Sequence, residues 1–312
     1  MNKSIYINVN GGTGLNKSLT NVLEEAHKKY NKVAVLSPYA DIFECCEWVD
    51  RVYTPEQSRD FIFDAKYDNA EIINTRLYDL SDFIYKKLNY EDAWRILLHL
   101  KPRTNVGDIG EANYIIDPTI KYPNIKNDVF NIVQDLNSKG YDNFILVQFH
   151  GGQSPLCDCN NEQYNVENEP LQRHYPDKLA QEFVKLFREK YPKTAIINFS
   201  LPNEPHYEGA ERYDFPYLSY IELAKNNKCI GFVSIDSSLQ HLISGIKPGV
   251  VIWGHSLPEA FGYKCNKNII QNCRRDDILY MSILGPSFAK IDYIKPQELL
   301  KEVENLINIK EE

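Results

Sequence analysis

Two successive strand–helix alternations predict an α/β protein built as two doubly wound, Rossmann-like units facing each other across a cleft. Three observations carry that expectation. Short apolar runs of strand length alternate with stretches in which apolar residues recur at helical spacing, the signature of open parallel sheets. The alternation breaks off over an irregular stretch at 102–123 and then restarts. The chain has 312 residues, long for one core and ordinary for two.

The first series opens with IYINV (5–9). It runs through a glycine turn into a helix whose Leu15, Leu19, Val22, Leu23, Ala26 and Tyr30 form a stripe. VAVLS (33–37) and AEIIN (70–74) are buried-type strands, and Asp50 to Tyr53 reads as a short extra one. Helical stretches lie near 41–48, 56–64, 78–88 and 91–100. The second series begins with a helix at about 125–138 carrying Ile125, Val129, Ile132, Val133 and Leu136, stopped at Gly140. Then come FILVQF (144–149), a helix at 177–190, TAIINF (194–199), a helix at 217–226, CIGFVSI (229–235), a helix at 237–245 and GVVIW (249–253). A closing helix at roughly 296–308 carries Leu299, Leu300, Val303 and Leu306. The expected units are 1–123 and 124–295, with the closing helix (296–312) packed back on the first. Residues 155–172 lack periodicity and read as a long functional loop.

Composition narrows the class. Hydrophobic content of 43% and charged content of 25% suffice for two cores. A formal charge of -8 disfavours a surface dedicated to nucleic acid. The seven cysteines are odd in number and show no framework spacing, as expected of reduced thiols. MNKSIYINVN lacks a signal-peptide apolar region, and no apolar run reaches 18 residues. The expected setting is therefore cytoplasmic, with peripheral association at the inner membrane left open.

Two stretches concentrate the candidate chemistry. GGTGLNKS (11–18) is one residue short of a phosphate loop, because Asn16 stands where G-x-x-x-x-G-K-[ST] requires glycine. In GFVSIDSSLQHLISGIKPGVVIWG (231–254) a buried strand ends at Asp236, and Ser237 and Ser238 open a helix carrying His241. Ligands of open α/β sheets bind outside the carboxyl ends of strands, and helix-start N–H groups suit an anion. Asp and Ser are also ordinary helix caps, so the string alone supports a purely structural role equally well.

The second stretch resembles the donor-site signature of the heptosyltransferase-like family, the glycosyltransferases of family nine with the GT-B fold. Asp236, Ser237, His241, Leu242, Pro248, Val250 and Gly254 fall in register with it. FILVQFHGGQSP (144–155) is similar to the family's strand and small-residue phosphate loop, here Gly151, Gly152, Gln153 and Ser154. QRHYPDKLAQEFVKLF (172–187) resembles its K-x-W-P segment, with Arg173 and Tyr175 in place of lysine and tryptophan.

The resemblance implies transfer of a sugar from a nucleotide diphosphate sugar, ADP-heptose-like by default, to a hydroxyl of a glycan, glycolipid or protein. Asp236 and His241 would contact donor diphosphate and sugar, with Ser237 and Ser238 on phosphate. Arg173 would offset charge on the leaving nucleotide, so no cofactor or metal beyond the nucleotide-sugar co-substrate is required. Glu204 would lie near the nucleoside. In the first turn (Gly11, Gly12, Thr13, Gly14) Thr13 replaces the family's aspartate, proposed there as general base, and threonine cannot serve at neutral pH. GGTG also resembles the turn of the GT-B enzyme that adds N-acetylglucosamine to the peptidoglycan lipid intermediate, whose following histidine is Asn16 here. Asp41 is then the candidate base. Lys17 and Ser18 become surface and first-turn residues.

Cys157, Cys159, Cys265 and Cys273 have no recognised tetrahedral spacing. A metal at these thiols is the minor alternative, since some protein-modifying relatives carry cysteine-bound iron. The rival functions are a P-loop kinase or ATPase using Lys17, and a non-catalytic GT-B module.

Overall fold

The computed structural model describes residues 3–74, 76–86, 88–151, 174–201, 204–254, 256–271 and 292–307. In the first unit β1 (Ile5–Asn8), α1 (Thr13–Lys29), β2 (Val33–Leu36), α2 (Ala40–Glu44), β3 (Arg51–Tyr53), α3 (Ser58–Tyr67) and β4 (Glu71–Ile73) alternate. They form a parallel sheet of order β3-β2-β1-β4. Two further helices, α4 (Ser81–Lys86) and α5 (Tyr90–Leu97), follow. Asn89 caps α5, its side chain accepting from the Glu91 N–H.

The second unit runs α6 (Ile125–Ser138), β5 (Asn143–Gln148), α7 (Asp177–Lys190), β6 (Thr194–Asn198), α8 (Ser219–Lys225), β7 (Cys229–Ile235), α9 (Ser238–Ile243) and β8 (Gly249–Trp253). It ends with α10 (Pro258–Phe261), β9 (Lys267–Ile270) and α11 (Pro296–Ile307). Its parallel sheet has the order β6-β5-β7-β8-β9. Gly140 follows α6 at φ +86°, where a glycine stop belongs. Two short elements, α10 and β9, are absent from the sequence reading. The strand KNII is half exposed at a sheet edge, so it lacks the apolar run that marks the buried strands.

In each sheet the chain first steps one way and then crosses to the other side. The reversal falls between β1 and β4 in the first sheet and between β5 and β7 in the second. Such switch points open a crevice at the strands' carboxyl ends.

Three packing features correct the sequence reading. The closing helix α11 packs on α7, β7 and β8, not on the first unit. Leu299 and Val303 are fully buried there with Phe183, Val184 and Val250, so its stripe completes the second core. The irregular stretch at 102–123 is tied to both units, not to the first alone: Arg103 pairs with Asp92 at 2.6 Å and Lys17 reaches the Tyr114 carbonyl, while Gly110 bridges Tyr263 and accepts from the Lys264 N–H at 3.0 Å. Lys264 also pairs with Glu111 at 2.8 Å. Finally, α1 lies between its own sheet, α5 and α9, so its first two turns are buried nearly all round. Lys17 and Ser18 are therefore interior residues, 3% and 2% exposed.

Candidate functional site

The glycine turn follows β1 at the first switch point. Gly12 is exposed and Thr13 is buried at the start of α1. Asn16, fully buried, explains why the phosphate-loop pattern fails. Its Nδ2 donates to the carbonyls of Gly11 and Gly12 at 3.0 and 2.9 Å, and its Oδ1 accepts from Ser37 Oγ. A second glycine at this position would leave the turn unbraced. Lys17 Nζ is committed to the Tyr114 carbonyl at 2.7 Å, and burial pushes its pKa down to about 8. Ser18 Oγ accepts from Trp94 Nε1 at 2.9 Å. Both side chains are buried and hydrogen-bonded inside the fold, so the kinase alternative loses its cation.

The matching turn follows β7 at the second switch point. Asp236 and His241 are 5% and 4% exposed. Asp236 Oδ1 accepts from Gln240 Nε2 at 3.0 Å and lies 3.7 Å from His241 Nε2. The other ring nitrogen, Nδ1, meets the Tyr263 hydroxyl at 3.0 Å. Ser237 does not cap α9; its hydroxyl donates to Gln148 Oε1, which also accepts the Leu239 N–H at 2.8 Å. Gln148, at the end of β5, thus holds the two strand ends together. A polar residue closing an otherwise apolar strand was its only sequence signal. Ser238 is half-buried at the same turn.

Across the crevice, a Cβ on Gly151 would lie 2.7 Å from Ser237 Cβ, so this position must be bare for the β5 and β7 turns to meet. The Gly151 N–H donates to His174 Nδ1 at 3.2 Å, and the His174 ring stacks on His150 with centroids 4.4 Å apart. His150 Nε2 lies 2.6 Å from Asp177 Oδ1, and that hydrogen bond holds the Asp177 carboxyl below its usual range. His150, His174 and Asp177 fall inside the two quoted segments, 144–155 and 172–187, but only Gly151 of this cluster was singled out in them. Arg173, Gly152, Gln153, Ser154, Cys157, Cys159 and Cys273 lie outside the described residues. Cys265 is exposed. Among the described residues no group of three or more His, Cys, Asp or Glu side chains is arranged to hold a metal.

The two turns are adjacent in space. A Cβ on Gly14 would lie 2.5 Å from His241 Nε2, so α1 begins directly against the His241 ring. The sequence reading, which placed the two stretches on opposite walls, did not bring them into contact. A second crossing joins Asp41, on α2, to the Tyr217 hydroxyl at 2.7 Å. Tyr217 also lines a cavity of about 480 Å³ at the carboxyl end of β6, with Phe199, Leu201, Arg212, Phe215 and Tyr220. The rings of Phe199 and Tyr220 meet at 4.3 Å. Glu204 accepts from the Leu201 N–H at 2.7 Å, bracing the loop beside this cavity. Asp41, the candidate base, therefore stands near the aromatic cavity and is engaged there.

The cavity, the His150–Gly151 turn and the Asp236–His241 turn follow β6, β5 and β7, three neighbouring strands. An elongated ligand with a flat end and an anionic middle can span all three.

No protein-family model matches the chain, and comparison with curated proteins gives no match. Solved structures do match over nearly the whole length. A glycosyl transferase of family 9 from Veillonella parvula aligns with TM-score 0.64 at 13% identity, covering 99% of this chain and 98% of that one. The ADP-heptose LPS heptosyltransferase II of E. coli aligns with TM-score 0.64 at 13% identity, covering 98% of each chain. An E. coli heptosyltransferase with ADP aligns with TM-score 0.54 at 13% identity, covering 97% of this chain and 99% of that one. The chain has the GT-B architecture of these structures, two parallel α/β units facing across a cleft.

Proposed function

We propose that this protein is a glycosyltransferase that moves a sugar from a nucleotide diphosphate sugar to a hydroxyl acceptor. The observation that carries the reading is the Asp236–His241 pair, buried at the second sheet's switch point and in contact with the glycine turn of the first. That is where a ligand of one unit meets a substrate of the other.

The nucleoside fits the cavity after β6, where Phe199, Phe215 and Tyr220 offer ring faces and Arg212 a cation. The diphosphate then lies over the β5 and β7 turns, with Ser237, Ser238 and Gly151 close to it. Asp236 and His241 contact the diphosphate and the sugar to be transferred. As the glycosidic bond breaks, negative charge grows on the leaving diphosphate. Arg173, next in sequence to His174, is assigned to offset it. That cation makes a divalent metal unnecessary, so EDTA-treated protein retains activity under this reading. The relatives with ADP and ADP-heptose donors favour an ADP-linked heptose as the first donor to test. The acceptor enters from the first unit, against Gly12 and Thr13, and Asp41 is the candidate base. A glycan, glycolipid or protein hydroxyl all satisfy this geometry. No helix of the described residues is long and apolar enough to cross a membrane; a cytoplasmic enzyme working at the membrane face agrees with that.

The test is a thermal-shift screen of nucleotide diphosphate sugars, followed by product detection by mass spectrometry. A donor at 100 times its Kd adds about 2.7 kcal/mol to stability, well within detection. Stabilisation by an ADP-sugar that Asp236→Ala abolishes supports the assignment. Absence of any nucleotide-sugar effect, with Mg²⁺-dependent ATP hydrolysis in its place, would sink it.

A further inference from the structure

The two nitrogens of the buried His241 ring face partners of different chemistry. The Asp236 carboxylate can only accept, so at 3.7 Å it favours the proton of a neutral ring on Nε2. Tyr263 is only 4% exposed, and burial raises its pKa enough to keep the proton in place. That hydroxyl proton is then taken in a hydrogen bond by His241 Nδ1, 3.0 Å away, the ring nitrogen left without one. A neutral imidazole that accepts at Nδ1 carries its proton at Nε2. That nitrogen lies against Gly14 and 3.7 Å from Asp236 Oδ1, on the side of the crevice.

We propose that Tyr263 is a positioning residue that, opposite the Asp236 carboxylate, fixes His241 as the Nε2–H tautomer with that N–H on the crevice side. The catalytic consequence rests on the transferase reading above: His241 donates a hydrogen bond to the donor's diphosphate oxygens and does not act as the base. The tautomer itself does not depend on that reading. Tyr263 carries no sequence motif and lies on the turn after α10, one of the two elements the sequence reading missed.

The experiment uses full-length protein labelled with ¹⁵N-histidine, with His241→Gln to assign the ring signals. In wild type, His241 Nδ1 is expected as an unprotonated nitrogen shifted by an accepted hydrogen bond, with Nε2 protonated. In Tyr263→Phe, which keeps the ring, the Nδ1 signal moves toward that of an unbonded imine nitrogen. With a donor in hand, kcat falls about tenfold while donor KM stays within about twofold. A protonated Nδ1 in wild type overturns the proposal, as does an unmoved Nδ1 signal in Tyr263→Phe even if activity drops. Should Tyr263→Phe fail to fold, the wild-type spectrum alone decides. Because the spectra need no sugar donor, a failed donor screen leaves this result intact.

Discussion

The turns after β1 and β7 occupy equivalent places, each leading from a strand at its sheet's switch point into a helix. Their chemistry is opposite. The turn after β7 carries Asp236 and His241, both buried and 3.7 Å apart. The turn after β1 presents glycines and Thr13, and its charged residue, Lys17, is folded inward onto Tyr114. Under the proposed transferase reading, one wall supplies reactive groups, and the other supplies room and a brace. Topology tells where a ligand binds in such a sheet; the side chains at that place tell whether it is bound or only admitted.

The largest effect should come from the chemical wall. Asp236→Ala and His241→Ala are each expected to lower turnover, or donor affinity, by tenfold to a hundredfold, about 1.4–2.7 kcal/mol. Folding should be retained, which circular dichroism and the unfolding midpoint check. Wild-type rates in both variants would remove the contrast between the turns.

The next test asks whether the glycine wall only makes room. The family resemblance puts Gly12 and Gly14 together on the turn where the family's general base stands. The structure separates them. A Cβ at Gly12 meets no described atom within 4 Å, whereas one at Gly14 collides with the His241 ring. That ring is held by Tyr263 and cannot swing away freely. Gly14→Ala is expected to cost about tenfold in donor binding or turnover, and Gly12→Ala less than twofold. Equal effects of the two in a donor titration would show that the His241 contact is not part of the site.

Most of the frame was legible because strands buried on both faces leave continuous apolar runs, as in VAVL and CIGFVSI. The donor turn was legible for the same reason: its polar residues follow directly on such a run. What could not be read is whatever depends on packing between the units. Lys17 looks like a surface residue because helical periodicity records one buried face, and α1 has neighbours on several sides. The partners Tyr217 of Asp41 and Tyr263 of His241 are 176 and 22 residues away along the chain, with no spacing rule to connect them.

Lys17 gives the third test, on stability. The sequence reading expected Lys17→Ala to be nearly silent. Its burial reverses that expectation, because truncation leaves the Tyr114 carbonyl without its donor, at a cost of about 1 kcal/mol at neutral pH. The pH dependence has a definite sign. With a native pKa of about 8 against an ordinary value of roughly 10.4, the unfolded chain binds more protons between those values. Stability relative to Lys17→Met should therefore rise from about pH 8 to about pH 10.5. Urea midpoints across that range check it; a flat difference would place Lys17 in solvent.

The smallest effect concerns the turn after β5, which shares the chemical wall but uses its charge on itself. Asp177 accepts from His150 and from the Tyr207 hydroxyl at 3.1 Å, and the His150 bond is the main reason its carboxyl lies low. A depressed native pKa means that the contribution to stability is complete above the ordinary carboxyl value of about 3.9 and is lost as pH falls through the lower native value. The side chain is 42% exposed, so solvent screens the interaction and the contribution should stay below about 1 kcal/mol. Asp177→Asn is expected to lower the urea midpoint slightly at pH 6, with the difference shrinking below pH 4. Donor affinity should change little, because this carboxylate orients His150 and would repel a diphosphate if it faced one. A large gain in donor affinity in Asp177→Asn would mean that Asp177 does face the anion, and the β5 turn would then limit binding where it is assigned to support it.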